Sequence, residues 1–274
     1  MRPGTLAQPV LLVLLTAFAV FSLTPIVWAV MISVKDPIDA FAIPPKLIFE
    51  PNFRYHYEIW FERRFLEFFA NSAAIAAGTV LISVPIGTLA GYALSRIRTP
   101  AGRSFLMGLL VVRMFPHVLL VIPFFVMARA VEMIDTYPAM IAAMVALNQP
   151  FTVWLMRSFF LEIPRELDEA ATIDGCNAWQ VFARVVLPLA RPGIVVTSLF
   201  SLLLAYNEFL FALVLTGTET KTLPVAIAEY GGEDLNYWSL SAAGAIGIML
   251  PILAFMLFFQ RHLVRGLTIG AVKG

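Results

Sequence analysis

The amino-acid sequence predicts an all-α protein that crosses a membrane six times. Three observations carry that expectation. Of 274 residues, 60% are apolar and 14% charged, whereas soluble domains run at about 45–50% and about 25%. Mean hydropathy is +0.84, an apolar surplus that no single soluble core can hide. The apolar residues also gather into six charge-bounded stretches, each near or above the roughly 20 residues that bridge about 30 Å of hydrocarbon. Each stretch reads as a helix, because lipid offers an open backbone no hydrogen-bond partner.

The first stretch, 10–34, lies in an uncharged run too long for the 7–15-residue apolar core of a secretory signal. No A-x-A cleavage site follows, so it is read as a retained helix. A long segment of mixed charge, 35–67, leads to the second stretch, 69–95. There Asn71 suits a cap or an interhelical bond, and Gly87-x-x-x-Gly91 permits close helix approach. The third stretch, 104–128, holds Arg113 with His117 one turn later. The fourth, 136–157, is uncharged as far as Met156 and carries Asn148 and Gln149. The fifth, 192–217, contains Asn207 and Glu208 just beyond its middle. The sixth, 236–260, carries Ala243-x-x-x-Gly247, a second close-approach pattern. Pro85, Pro116, Pro123 and Pro251 are expected to kink their helices.

A charge inside a span costs roughly 2.5–3.5 kcal/mol on insertion scales and faces a cavity or a partner. Arg113, Asn148, Asn207 and Glu208 are therefore candidates to line a hydrophilic path. The competing reading is an Arg113–Glu208 ion pair that only holds helices together. His117 and Gln149 are read as structural.

Arginine placement sets the orientation. Arg96, Arg98 and Arg103 follow the second stretch; Arg157, Arg165, Arg184 and Arg191 follow the fourth; Arg261, Arg265 and Lys273 close the chain. Positive-inside counting places these segments and both termini in the cytoplasm. The outer segment 216–239 then contains Tyr230, Gly231 and Gly232, glycines beside aromatics that suit contact with a docked protein. Tyr237 and Trp238 fit that role or an interfacial aromatic belt.

Several chemistries are excluded. A net charge of +1 provides no field for nucleic acid, and the single cysteine, Cys176, rules out intramolecular disulfides and CxxC sites. Three scattered histidines, with no GxSxG, HExxH or Gly-rich dinucleotide loop, leave no catalytic or metal constellation. Gly217, Lys221 and Thr222 resemble a phosphate loop only superficially, because its second glycine is missing. If ATP drives this protein, another chain binds it.

The long inner loop, 158–191, reads as two short helices joined by a turn. Pro164 suits the first position of a helix. Leu167, Ala170, Ala171 and Ile173 share one face, opposite Arg165, Glu166 and Asp168. Gly175 is the expected left-handed terminator, and Asn177 the cap of the next helix. The small Ala170 and Ala171 would let another surface approach.

Glu169-Ala170-Ala171, then Gly175, then Val185-x-Leu187-Pro188 match the EAA---G---------I-LP signature of ABC importer permeases, with valine for isoleucine as the one departure. FAIPPKLI from Phe41, FFANS from Phe68, YNEFLFAL from Tyr206 and the GLTIGAVKG ending extend the likeness over nearly the whole chain. The protein resembles the second permease of maltose-type carbohydrate importers.

That resemblance implies a type I importer permease fold with a cytoplasmic coupling-helix hairpin, in the cytoplasmic membrane. It implies pairing with a homologous permease, two ATPase subunits that bind ATP and Mg, and an extracytoplasmic sugar-binding lipoprotein. The cargo would be a disaccharide or oligosaccharide such as maltose or trehalose. Glu169, Ala170, Ala171, Asp174 and Gly175 would couple the chain to an ATPase. The class-distinct alternative, a secondary transporter or channel working without ATP, has no reason to carry the EAA hairpin.

Overall fold

A computed structural model describes residues 7–97, 99–230 and 236–269. The helices are α1 (Ala7–Ser33), α2 (Pro37–Ala40), α3 (Arg54–Tyr57), α4 (Phe65–Arg96), α5 (Pro100–Met114), α6 (His117–Ala130), α7 (Tyr137–Glu162), α8 (Glu166–Ile173), α9 (Ala178–Gln180), α10 (Leu187–Leu189), α11 (Arg191–Tyr206), α12 (Leu210–Leu215), α13 (Leu223–Tyr230) and α14 (Asn236–Ile269). Wider π-type turns at Glu58–Glu62 and Val181–Val186 complete the order.

Within α1, α4, α7 and α14 lie four segments that are each long and apolar enough to cross a bilayer, and two bent pairs bring the number up to six. One pair covers 100–130 and the other 178–206, which overlaps the expected fifth stretch, 192–217, only in part. The third stretch is two helices, α5 and α6, which meet at 94°. Pro116 supplies no N–H and pushes Phe115 into extended backbone (ψ 133°), so the helix must break there. The fifth stops at Tyr206 and resumes as α12, and α11 meets the 178–189 segment at 75°. Pro85, Pro123 and Pro251 lie inside α4, α6 and α14 without ending them.

The chain divides into two units, one of residues up to 66 with 226–251, the other of 67–225 with the rest. In the first, Lys35 is almost fully buried, and it is partnered by a carbonyl and two aromatic rings. Its ammonium donates to the Lys46 carbonyl at 2.6 Å and sits over the Trp28 and Phe49 rings at 5.3 and 4.7 Å, where the ring faces offset the charge. Gly247 lies against Phe65, whose ring would be 2.6 Å from an added Cβ, beside the fully buried Ala243.

This unit also holds the aromatic residues of the expected outer segment. Tyr237 and Trp238 belong to the first turn of α14, and Trp238 packs on Phe41 at 5.7 Å. Tyr230 ends α13 with its hydroxyl donated to the Arg63 carbonyl at 3.1 Å, so it is tied down within this unit. Gly231 and Gly232 lie outside the described residues.

In the second unit α7 is packed between α4 and α11. A Cβ on Gly87 would fall 2.5 Å from Thr152 Oγ1, and one on Gly91 would fall 2.9 Å from the Arg157 backbone nitrogen. Between them these glycines let α4 lie directly on α7, as their spacing predicted. Gln149 adds hydrogen bonds to the Ser83 carbonyl and hydroxyl at 3.2 and 3.3 Å, confirming its structural reading. On the other side, Gly193 of α11 receives the Phe159 ring, 2.5 Å from where a Cβ would stand.

Candidate functional site

The hairpin of residues 158–191 begins two residues later than Pro164 suggested, since α8 starts at Glu166 behind Arg165. Three acidic residues fill its first turn, where they complement the positive end of the helix dipole. Gly175 ends the arm with φ +87°, the left-handed conformation its type predicted. Asn177 then caps the second arm through a reciprocal pair with Gln180, both bonds at 2.9 Å.

The hairpin is seated on the C-terminal end of α7. Ala171, Val181, Phe182, Val186 and Ala190 form one buried cluster with Met156 and Phe160. This corrects two expectations about α8. Ala171 is 8% exposed, so its small side chain lets the two arms close on each other and does not present an outward contact. Ile173, expected beside it, is 86% exposed at the tip, because the turn at Gly175 begins before the second arm can cover it. The outward surface is Glu169, Ala170, Asp174 and Gly175, flanked by Ile173 and Trp179. Asp168 does not join that surface; it turns inward to Arg96 at the end of α4, 2.7 Å away.

A second feature is a cavity of about 240 Å³ among α5, α6, α7 and α11, lined in part by Arg113, His117, Phe124, Asn148 and Glu208. Three of the four path candidates therefore converge. Arg113 lies over the Phe151 ring at 5.0 Å, and no Arg113–Glu208 ion pair forms. Glu208 Oε1 accepts the Leu210 and Phe211 N–H groups at 3.1 Å each, so it caps the helix that resumes after the break. Asn148 donates to the Met144 carbonyl at 2.9 Å, while its buried Oδ1 has no partner among the described residues. His117 stands edge-on to Phe211 at 6.3 Å.

Asn207 is the exception. Its side chain turns back to the Leu203 carbonyl at 2.9 Å, satisfying the frayed end of α11, and it does not line the cavity.

Just before the N-terminus of α7 stands Asp135, which the hydropathy pattern could not single out. Its carboxylate accepts from the backbone of Gly217, Glu219 and Thr220 and from the Thr220 hydroxyl, at 2.7–3.0 Å. The loop that superficially resembled a phosphate loop thus cradles an internal carboxylate. Beside it, Asn71 donates to the Glu219 and Lys221 carbonyls and accepts from Tyr137, an interhelical role.

Burial alone would raise the Asp135 pKa, but these hydrogen bonds outweigh it and hold the pKa at about 2. Because the folded value is depressed, the stabilisation is complete above about pH 4 and disappears as the pH falls through about 2. Asp135→Ala is expected to lower the thermal midpoint by several degrees near neutrality. The gap from the parent chain should narrow from about pH 4 downward; a gap unchanged at pH 3 and below would contradict this account.

The profile of one family, described as binding-protein-dependent transport system inner membrane component, matches residues 83–269. The chain is 37% identical over 260 residues to the trehalose transport system permease protein SugB of Mycobacterium tuberculosis, covering 93% of each protein. It is 32% identical over 280 residues to the trehalose/maltose transport system permease protein MalG of Thermococcus litoralis, covering all of both. Its fold matches a chain of a bacterial ABC transporter involved in import of the acidic polysaccharide alginate, with a TM-score of 0.73 at 23% identity over 95% of this chain and 98% of that one.

Proposed function

This chain belongs to the family of binding-protein-dependent transport system inner membrane components, and from that premise we propose that its cargo is a disaccharide or short oligosaccharide of the maltose or trehalose type. It is an ABC permease, a multi-pass membrane subunit and not the ATPase. Two relatives named for trehalose or maltose transport, each aligned over nearly its full length, support the sugar assignment. The assembly comprises a second, homologous permease, ATPase subunits that hold ATP and Mg beneath, and an extracytoplasmic binding protein above. Both termini and the α8–α10 hairpin then face the cytoplasm.

The observation that carries the coupling role is the hairpin itself. It is fused by a buried cluster to the end of α7 and presents Glu169, Ala170, Asp174 and Gly175 outward. A carboxylate beside an alanine and a glycine suits close docking on a basic groove of an ATPase. Co-expression with the partner subunits tests the whole reading. ATP-dependent uptake of labelled maltose or trehalose that also requires the binding protein is the expected result. Uptake that persists without the ATPase would instead identify a secondary transporter.

The cavity supplies the polar stage of the path. Arg113 brings a permanent charge with a donor fork, and Asn148 Oδ1 and Glu208 bring acceptors, a set that matches sugar hydroxyls. Arg113→Gln should leave complex yield intact while transport falls roughly tenfold or more, the scale of a lost charged hydrogen bond at about 1.5–3 kcal/mol. Poor yield, restored by also neutralising Glu208, would return Arg113 to a structural role.

A further inference from the structure

We propose that Arg96 is a positioning residue of the coupling machinery, locking the inner ends of α4 and α7 to the coupling helix α8 so that all three move as one piece. The inference rests on reading the chain as a coupled permease. It extends that reading to a residue outside the EAA signature.

Arg96 is the last residue of α4. Its Nε and Nη2 grip the two oxygens of Asp168 on α8 at 2.7 and 3.2 Å, a planar fork meeting a planar carboxylate. Its Nη1 reaches the Phe160 and Ile163 carbonyls, at 3.1 and 3.2 Å, where α7 ends. The Phe160 carbonyl also takes the capping Ile163 N–H at 3.3 Å, but the last carbonyls of a helix lack the i+4 donors of its interior and form the negative end of its dipole, so a cation suits them. One guanidinium therefore closes three chain segments at once. The Arg96 and Asp168 side chains are only 14% and 18% exposed, which limits competition from water.

Neighbouring contacts brace the joint. The Tyr92 hydroxyl donates to Asp168 at 3.2 Å, while its ring packs on Phe160 and Phe182 at 5.5 and 5.0 Å. Arg165, just before α8, donates to the Ser95 carbonyl at 2.8 Å, and Arg157 of α7 to the Leu94 carbonyl at 3.3 Å. Arginines from beyond α4 thus occupy the carbonyls at its inner end.

From this joint a continuous line of close contacts leads towards the cavity. Gly91 lies on Met156 and Arg157, and Gly87 lies on Thr152. Ser83 bonds Gln149, whose chain neighbour Asn148 lines the cavity. Rigid packing of this kind transmits a displacement where a loose hairpin would absorb it.

Lysine cannot replace this geometry. A point charge can neutralise Asp168, yet it cannot hold both carboxylate oxygens and two carbonyls in one plane. The test uses the full transporter in proteoliposomes, with maltose and trehalose as probes, and measures sugar moved per ATP hydrolysed. Arg96→Lys should assemble at the parent yield but lose at least about tenfold in that ratio. An assembled Arg96→Lys complex with an unchanged ratio would overturn the proposal. If its yield collapses, the ratio is read from Asp168→Asn, which keeps Arg96 on the α7 carbonyls but removes the charge from α8. The same loss there supports the lock, and a normal ratio reduces Arg96 to a structural tie and overturns it. Parent complexes that fail to couple uptake to ATP would refute the transport reading itself, a result separable from any effect of the variants.

Discussion

Gly175→Val is expected to bring ATP-driven uptake to background and to abolish stimulation of the partner ATPase by loaded binding protein, with the complex still assembled. Gly175 holds φ +87°, and an added Cβ there would meet nothing within 4 Å. The penalty is therefore conformational and not a clash. A residue with a Cβ loses about 1–2 kcal/mol in the left-handed region, and a β-branched side chain loses more. The turn escapes that strain by moving, which displaces the Asn177 cap and the second arm relative to Glu169 and Asp174. A graded series makes the test sharp: Asn, which tolerates this region, should retain most transport, Ala less and Val none. Equal activity in all three would show that the left-handed turn has no part in coupling.

Gly91→Leu is expected to abolish the folded permease altogether. A Cβ at that position would lie 2.9 Å from a backbone nitrogen of α7 and 3.0 Å from Met156 Cβ. Backbone cannot rotate aside as a side chain can, so α4 and α7 must separate. Overpacking in a close-packed core typically costs 1–3 kcal/mol, and leucine would add three further carbons to the clash. Separation would also pull Arg96 away from the α7 carbonyls and break the Ser83–Gln149 contact. Gly108→Leu on α5, where nothing lies within 4 Å, is the matched control and should leave the amount of membrane-inserted protein unchanged. Full yield from Gly91→Leu would mean that the two helices do not meet there.

The extent to which the site was legible in the sequence differs residue by residue. Gly175 and Asn177 were readable because a left-handed terminator and an N-cap are local requirements, set by the backbone of a few neighbouring residues. Gly87 and Gly91 were readable because small residues four apart mark one helix face. Ala171 was misassigned because its smallness serves equally for an outward docking contact and for closing two arms on each other. Only the position of Val181 and Phe182 decides between these. Asn207 stands apart from the cavity for a local reason: its neighbour Glu208 faces it, but the break after Tyr206 turns Asn207 back on its own helix.

Composition alone determined that the chain lives in a membrane, since lipid imposes a length and an apolarity that appear directly in the letters. The EAA signature marked the 158–191 loop as the one expected to meet a partner, because close docking demands small residues at set spacing. Three matters were decided only in three dimensions: the breaks in the third and fifth stretches, the convergence of Arg113, Asn148 and Glu208 on one cavity, and the grip of Arg96 on Asp168 and α7. Each joins residues far apart in the chain, or depends on whether a proline or a polar side chain finds its backbone partner locally or across a helix interface. Hydropathy sums the cost of each residue separately. Pairing across helices is what offsets that cost, and it exists only once the helices have packed.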